Sequence, residues 1–247
     1  ADRNETGGYQ ILFWKVLPYV IPIAAQSAIA LPVDMGGKKV NDVYDYDPNI
    51  RMQYMHLCFF PLKNQSVVLR RYEKSRNICL EEEQNMLNIC RRKLESSACI
   101  EEIIGYEGQA AKYYFRGLSK CIDEDFYFNG RSKRPPRDEF NSMLSLGYSI
   151  LMNELYCKIE MKGLNPYFGF IHRDAEKHPT LASDMMEEWR AVIVDATVMS
   201  MINGHEILKD DFVFDIEQSG CYLTKNGLKL YLNKLERKFQ TEIRYLK

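Results

Sequence analysis

The chain has 247 residues, of which 46% are hydrophobic and 27% charged, and its net charge at pH 7 is −1. This composition is ordinary for a globular protein of one or two domains. The balanced charge excludes an overall basic protein, so any contact with nucleic acid must rest on local patches. The cysteine count is seven, an odd number, and no CxxC pair occurs. These cysteines argue against a disulfide framework and for a reducing compartment.

Residues 1–61 contain many β-formers, prolines and glycines, which predict a small β-rich N-terminal region. Within it, residues 11–33 are apolar enough to raise the question of a membrane span. Lys15, Pro18 and Pro22 interrupt this run, so we favour buried strands over a span and expect no membrane association. Because the first residue is Ala, we expect a processed product or a piece of something longer.

From residue 62 onward, apolar residues recur at helical spacing. The predicted helices cover about 62–94, 98–117, 138–162, 180–202 and 225–241, with short β-like pieces at 212–214 and 221–223. The predicted fold class is therefore α+β, with a small β-rich N-terminal region (1–61) followed by a mostly α-helical domain (62–247).

The segment GFIHRDAEKHPTLASDMMEEWR, residues 169–190, combines histidines, a proline break and three acids. On the predicted helix, Asp184 shares a face with Glu187 and also with Glu188. His172 precedes the helix and can meet these acids only if the loop folds back. One histidine with two acids from separate elements is typical of an Mg²⁺ or Mn²⁺ site. The alternative is a surface loop before a solvated helix start, where acids favour the helix dipole.

Glu107 is a further candidate ligand, in the segment GYEGQAAKYYF. The neighbouring Gly108 weakens a helix by about 1 kcal/mol relative to Ala. A glycine beside a carboxylate lets a phosphate or another helix approach closely. The alternative is a helix-packing glycine next to a surface glutamate.

Local basic clusters are the candidates for contact with nucleic acid, with a solvated surface as the alternative for each. The best candidate is the proline-stiffened loop RSKRPPR, with Arg131, Lys133, Arg134 and Arg137. Arg173, next to His172, and Arg190, one turn beyond Glu187, are placed to hold a phosphate or to pair with the acids.

Several of these pieces follow one another in a fixed order: EG-x-A-A-x-x-Y-F, RPPRDEFNSMLSLGY, GLNPYFGFIH, TLASDMMEEWR and a later Asp195 and Phe212. Over about residues 62–240 this order resembles the CRISPR-associated integrase family, the nuclease subunit that inserts new spacers into a CRISPR array. The resemblance implies that Glu107, His172 and Glu187 hold the catalytic Mg²⁺ or Mn²⁺. Asp184 is then a supporting acid.

The resemblance further implies an enzyme that joins the 3′-hydroxyl ends of protospacer DNA into the CRISPR repeat by phosphodiester transesterification. The implied partners are DNA, further copies of the chain and a small ferredoxin-like companion subunit, all in the cytoplasm. The family normally has an N-terminal β-sandwich that mediates dimerisation, and residues 1–60 are short for it, which implies a reduced or incomplete domain. The alternatives are a non-catalytic DNA-holding subunit and a stand-alone nuclease for branched DNA.

Overall fold

The computed structural model describes the backbone of residues 48–97, 99–167, 169, 178–215, 217 and 219–241. Side chains are described within these ranges from residue 60 onward, apart from residue 100. The predicted β-rich character of the N-terminal region therefore lies outside the described residues, except for its last part. The predicted strands within residues 11–33 also lie outside them.

Helices dominate the described part, and one antiparallel hairpin supplies its strands. The elements are α1 (Pro48–Arg76), α2 (Glu81–Glu95), α3 (Ile100–Cys121), α4 (Glu139–Met161), α5 (Thr180–Arg190), a π-helical turn (Ala191–Asp195), α6 (Ala196–Asn203), a 3₁₀ turn (Lys209–Asp211), β1 (Phe212–Asp215), β2 (Gly220–Leu223) and α7 (Lys225–Phe239). The predicted α+β class with a mostly α-helical domain is confirmed.

The first predicted helix, over about 62–94, is wrong in its extent, because the structure has two helices there. Asn77 ends α1 in the left-handed conformation, with φ of 53°, which asparagine adopts more readily than most residues. The Ile78 amide then donates to the carbonyl of Glu73 at 3.1 Å. α1 also begins at Pro48, ahead of the predicted start near residue 62. The division of the chain at residue 61 stays a prediction.

The core forms where the apolar stripes of the helices meet. α3 buries Ile103, Ala110, Tyr114 and Leu118, whose spacing of seven, four and four residues places them on one face. α3 packs against α1 and α2, while α5 packs between α1 and α4. This packing places one end of α5 beside both α3 and α4, where the candidate site lies.

α4 and α7 are joined through one close contact. Tyr231 of α7 is fully buried and donates from its hydroxyl to the carbonyl of Met143 at 2.9 Å. A Cβ at Gly147 would lie 2.5 Å from Cγ1 of Val194 and would overlap the Tyr231 hydroxyl. Glycine at this position therefore permits α4 to approach the π-helical turn and α7.

The β1–β2 hairpin pairs Phe212 with Leu223 and Val213 with Tyr222. Thr224 then caps α7 by accepting the Gly227 amide at 3.2 Å. In the part of the chain that the structure describes, no helix is both long and apolar enough to cross a lipid bilayer.

Candidate metal and nucleic-acid site

A cavity of about 1250 Å³ lies among α3, α4, α5 and the loop that precedes α4. α3 contributes Glu107, α4 contributes Tyr148, and α5 contributes Glu187 and Arg190. The cavity is polar where these residues line it, because the two glutamates and the arginine carry charge and the tyrosine carries a hydroxyl.

Glu107 and Glu187 belong to different helices and meet the same guanidinium. Nη1 of Arg190 lies 2.8 Å from Oε1 and 2.7 Å from Oε2 of Glu187. Nη2 of Arg190 lies 3.7 Å from Oε1 of Glu107. Burial lowers the pKa of Arg190, but the charge of Glu187 and that of Glu107 outweigh it and hold this pKa above its ordinary value. Two of the three predicted metal ligands therefore lie on one cavity wall.

Among the other residues of the predicted constellation, the structure describes Asp184 but not the histidine. His172 and Arg173 lie outside the described residues. Asp184 is fully buried at the beginning of α5. A Cβ at Gly169 would lie 2.8 Å from Oδ2 of Asp184 and 2.6 Å from Cβ of Thr180. The chain at Gly169 thus passes directly against the first turn of α5, which only glycine permits.

Glu188 follows Glu187 but is not among the residues that line the cavity. Nδ2 of Asn64 in α1 donates to the backbone carbonyl of Glu188 at 2.8 Å. The Glu188 side chain is 5% exposed, and burial raises its pKa to about 7. Glu188 and Asp184 were predicted to share one face of the helix, and both side chains are buried.

The donor set at the cavity fits a hard divalent cation. Carboxylate oxygens are the ligands that Mg²⁺ and Mn²⁺ prefer, and Glu107 and Glu187 already attract one cation between them, the Arg190 guanidinium. Among the described residues, no three His, Cys, Asp or Glu side chains come together as a metal cluster. A third protein ligand would have to come from outside them, where His172 lies, and its role stays a prediction.

The basic loop also lines the cavity, through Arg131, Lys133 and Arg134. Arg137 is exposed and is not part of that wall. The loop is held by Asn141, whose Oδ1 accepts Nη1 of Arg131 at 2.6 Å and whose Nδ2 donates to the carbonyl of Gly130 at 2.9 Å. Asn141 is fully buried, so this anchor fixes the position of the loop on α4.

Asp195 is buried behind the cavity at the end of the π-helical turn. Its carboxylate accepts the hydroxyls of Tyr148 at 2.6 Å and Tyr114 at 2.8 Å. The Arg131 guanidinium lies 5.1 Å from the Tyr148 ring centroid, and that of Arg190 lies 6.0 Å from it. Asp195 thereby connects the wall of the cavity to the core.

Tyr148 was not predicted as a site residue, and Asp195 was recognised only as part of a motif pattern. A signal was present, because Asp195 is the only charged residue in the run AVIVDATVMSMI. A lone acid in such a run requires buried partners. His178 also lies on the cavity wall, with Nε2 3.1 Å from Oγ of Ser183. It falls outside the sequence motifs and was not predicted as a site residue.

A match to a protein-family model identifies the family of proteins to which this site belongs. The model of the family described as CRISPR associated protein Cas1 matches residues 56–237. The chain belongs to the Cas1 family. The match confirms the resemblance to the CRISPR-associated integrases that the order of sequence motifs indicated.

Curated members of the Cas1 family are 30% to 50% identical to this chain over the residues that align. A CRISPR-associated endonuclease Cas1 of Mycobacterium tuberculosis is 50% identical over 109 residues, 44% of this chain and 32% of the relative. A Cas1 of Chlorobaculum tepidum is 38% identical over 177 residues, 70% of this chain and 51% of the relative. The chain thus spans a third to about half of the length of these relatives.

Solved structures of similar fold include assemblies with other molecules. The chain resembles a casposase bound to an integration product, with a TM-score of 0.71 and 25% identity, over 83% of this chain and 57% of that one. It also resembles a chain of a Cas6-RT-Cas1–Cas2 complex, with a TM-score of 0.73 and 27% identity, over 79% of this chain and 22% of that one. A CAS1 protein from Thermotoga maritima, at 22% identity and a TM-score of 0.65, supports the fold alone.

Proposed function

We propose that this chain carries the reaction centre of a CRISPR-adaptation integrase, a divalent-metal-dependent DNA endonuclease that joins protospacer 3′-hydroxyl ends into the CRISPR repeat. The observation that carries the proposal is the placement of Glu107 and Glu187, from two helices, in one cavity that also contains a basic loop. Membership of the Cas1 family supports it.

Glu107, Glu187 and the predicted ligand His172 would hold Mg²⁺ or Mn²⁺, with Asp184 as the supporting acid. The metal supplies electrostatic stabilisation of the charge that develops on the phosphoryl oxygens. Glu107 and Glu187 place negative charge on the cavity wall, and α3 and α5 fix their separation. The buried Asp184 packs against Gly169 and keeps the chain close to the beginning of α5.

Arg131, Lys133 and Arg134 are proposed to bind the DNA backbone, together with the predicted residues Arg137 and Arg173. Burial lowers the pKa of Lys133, and the positive charges of Arg131 and Arg190 lower it further. Positive charge is therefore concentrated at this wall, and a phosphate would relieve the repulsion.

In the proposed reaction, the oxygen of a free DNA 3′-hydroxyl forms a bond to phosphorus at the repeat boundary. The phosphorus keeps its bond to the 5′-oxygen of the repeat, and the opposite bond to the 3′-oxygen of the flanking strand breaks. The proton given up by the attacking hydroxyl is matched by one gained by the departing 3′-oxygen. No oxidant or covalent protein intermediate is required. Water in place of the attacking hydroxyl gives strand cleavage by the same balance.

The proposed partners are DNA, further copies of the chain and a small ferredoxin-like companion subunit. The similarity to a chain of a complex whose title names Cas1 and Cas2 supports the companion. A cytoplasmic location is proposed on the odd number of cysteines and on the six described ones, which are free thiols.

Strand joining tests this proposal. A short duplex with free 3′-hydroxyls is incubated with a plasmid carrying a repeat, with Mg²⁺, Mn²⁺ or a chelator, and with or without the companion. We expect metal-dependent joining by the native chain and at least a ~100-fold loss in Glu107→Gln and His172→Ala. Glu102→Gln, an exposed acid of the same helix, should join normally.

Other outcomes would point to the two alternatives. Cleavage of branched DNA without any joining would replace the integrase with a stand-alone nuclease. DNA binding without cleavage or joining, even with the companion present, would indicate a DNA-holding subunit.

A further inference from the structure

Arg190 lies between the two carboxylates that the proposed function assigns to the metal. Its Nη1 is within 2.8 Å of both oxygens of Glu187, and its Nη2 faces Glu107. The side chain is only 13% exposed, so water screens these charges weakly. The guanidinium therefore neutralises much of the negative charge that the two acids place on the cavity wall.

A divalent cation and this guanidinium require the same oxygens. Mg²⁺ binds carboxylate oxygens at roughly 2.0–2.1 Å, and both Glu187 oxygens are already in contact with Nη1 of Arg190. Two cations that share these oxygens would also repel each other at short range in a partly buried site. Arg190 and the metal therefore compete for Glu187.

The contacts of Arg190 are compatible with its displacement. The distance of 3.7 Å between Nη2 of Arg190 and Oε1 of Glu107 is short enough for an ion pair but too long for a hydrogen bond. Nε of Arg190 is buried and has no hydrogen-bond partner among the described residues. The Tyr148 ring centroid lies 6.0 Å from the guanidinium, on the cavity side. A neighbouring position against this ring is thus within reach of the side chain.

We propose that Arg190 is a built-in counter-cation of the Glu107–Glu187 pair, which a divalent metal must displace, so that Arg190 weakens metal binding. The proposal rests on the proposed function, because it takes the two acids to be metal ligands. Its consequence is that the bare carboxylate pair has a higher metal affinity than the native site.

Calorimetric titration with Mn²⁺ tests this on the whole chain. The variants are Arg190→Gln and a matched control, Arg116→Gln, which removes a positive charge from the same cavity wall. Arg116 pairs with Glu82 at 2.7 Å and with Glu83 at 2.8 Å instead. We expect Mn²⁺ to bind about tenfold more tightly to Arg190→Gln and with unchanged affinity to Arg116→Gln. Unchanged or weaker binding to Arg190→Gln would overturn the proposal.

A second measurement uses the native chain, in case Arg190→Gln fails to fold. The Nε–Hε resonance of Arg190, assigned with Arg190→Lys, is followed by NMR during titration with Mg²⁺. We expect it to shift as the guanidinium leaves Glu187, and a resonance that stays in place while metal binds would contradict the displacement.

The Glu107→Gln variant distinguishes a failure of the proposed metal site from a failure of the proposed role of Arg190. If the native chain binds Mn²⁺ and Glu107→Gln does not, the metal site stands, and the Arg190 variants alone decide the counter-cation. If the native chain and Glu107→Gln bind Mn²⁺ equally, the metal assignment is wrong, and the role of Arg190 falls with it.

Discussion

Asp195 supports the cavity wall from within the core. It is fully buried, accepts two tyrosine hydroxyls, and faces the charges of Arg190 and Arg131. Burial raises the pKa of Asp195, whereas the bond from Tyr148 and the charge of Arg190 oppose that rise. Its neighbours thus hold the Asp195 carboxyl group in place, and its removal leaves buried donors and charges unmatched.

We predict that Asp195→Asn lowers the free energy of unfolding by about 3 kcal/mol, because it removes one acceptor and the charge that offsets two arginines. Urea unfolding measures this change. Tyr114→Phe removes one hydrogen bond only and should cost about 1 kcal/mol. Equal stability of Asp195→Asn and the native chain would contradict the role assigned to this network.

Glu188 gives a pH-dependent prediction. Its folded-state pKa is raised from 4.5 to about 7 by burial, so the folded chain retains its proton over a range in which the unfolded chain loses it. This acid costs nothing below its unfolded pKa of 4.5. Its cost grows as pH rises from there to the folded pKa of about 7, and is constant above it. We expect Glu188→Gln to be more stable than the native chain at pH 8, by on the order of 3 kcal/mol at most.

The gain should shrink towards zero as pH falls to about 4.5. Thermal unfolding from pH 4.5 to pH 8, with a chelator present, measures it. A stability difference that is independent of pH would mean that Glu188 does not titrate in this interval.

At the scale of single residues, the sequence predicted Glu107 and Glu187 as site residues, because short motifs carry them, and the structure brings both to one cavity. It left the role of Arg190 open between phosphate and acids. That choice depends on how α3 and α5 face each other, which spacing along one helix does not determine. Tyr148 gave no local signal, since its partner Asp195 is 47 positions away.

At the scale of the helices, some glycines lie at close contacts between helices and others face open space. Gly147 faces Val194 and Tyr231, whereas a Cβ at Gly105 would meet nothing within 4 Å. We expect Gly147→Ala to destabilise the chain by about 2–3 kcal/mol through overpacking. Gly105→Ala should instead be neutral or stabilising by up to about 1 kcal/mol, because alanine favours the helix.

Chemical unfolding of the two alanine variants is the measurement. Similar stabilities of Gly147→Ala and Gly105→Ala would show that α4 does not approach the π-helical turn as closely as described.

The later helices were predicted well, since α4, α6 and α7 end within about three residues of the expected bounds. Asp138 and Thr224 cap the beginnings of α4 and α7, Pro179 precedes α5, and apolar spacing marks the length of these helices. The break at Asn77 and the π-helical turn before Asp195 were not predicted. Both leave the apolar pattern nearly uninterrupted, so periodicity alone gives no sign of them.

At the scale of the whole molecule, the near-neutral chain is proposed to bind DNA through its basic loop. We expect affinity for duplex DNA to fall steeply with salt, and Lys133→Gln to reduce the slope of log affinity against log salt by about 1. Lys162→Gln, an exposed lysine at the opposite end of α4, should leave the slope unchanged. Fluorescence anisotropy over a salt series measures this, and a flat response would remove the basic loop from the account.

The cavity between α3 and α5 is the proposed reaction centre. The neighbouring acids Glu187 and Glu188 test this assignment, because Glu187 lines the cavity and Glu188 does not. The measurement is metal-dependent strand joining by Glu187→Gln and Glu188→Gln, side by side with the native chain. We expect joining to be lost in Glu187→Gln and retained in Glu188→Gln. Joining by Glu187→Gln at the native rate would contradict it.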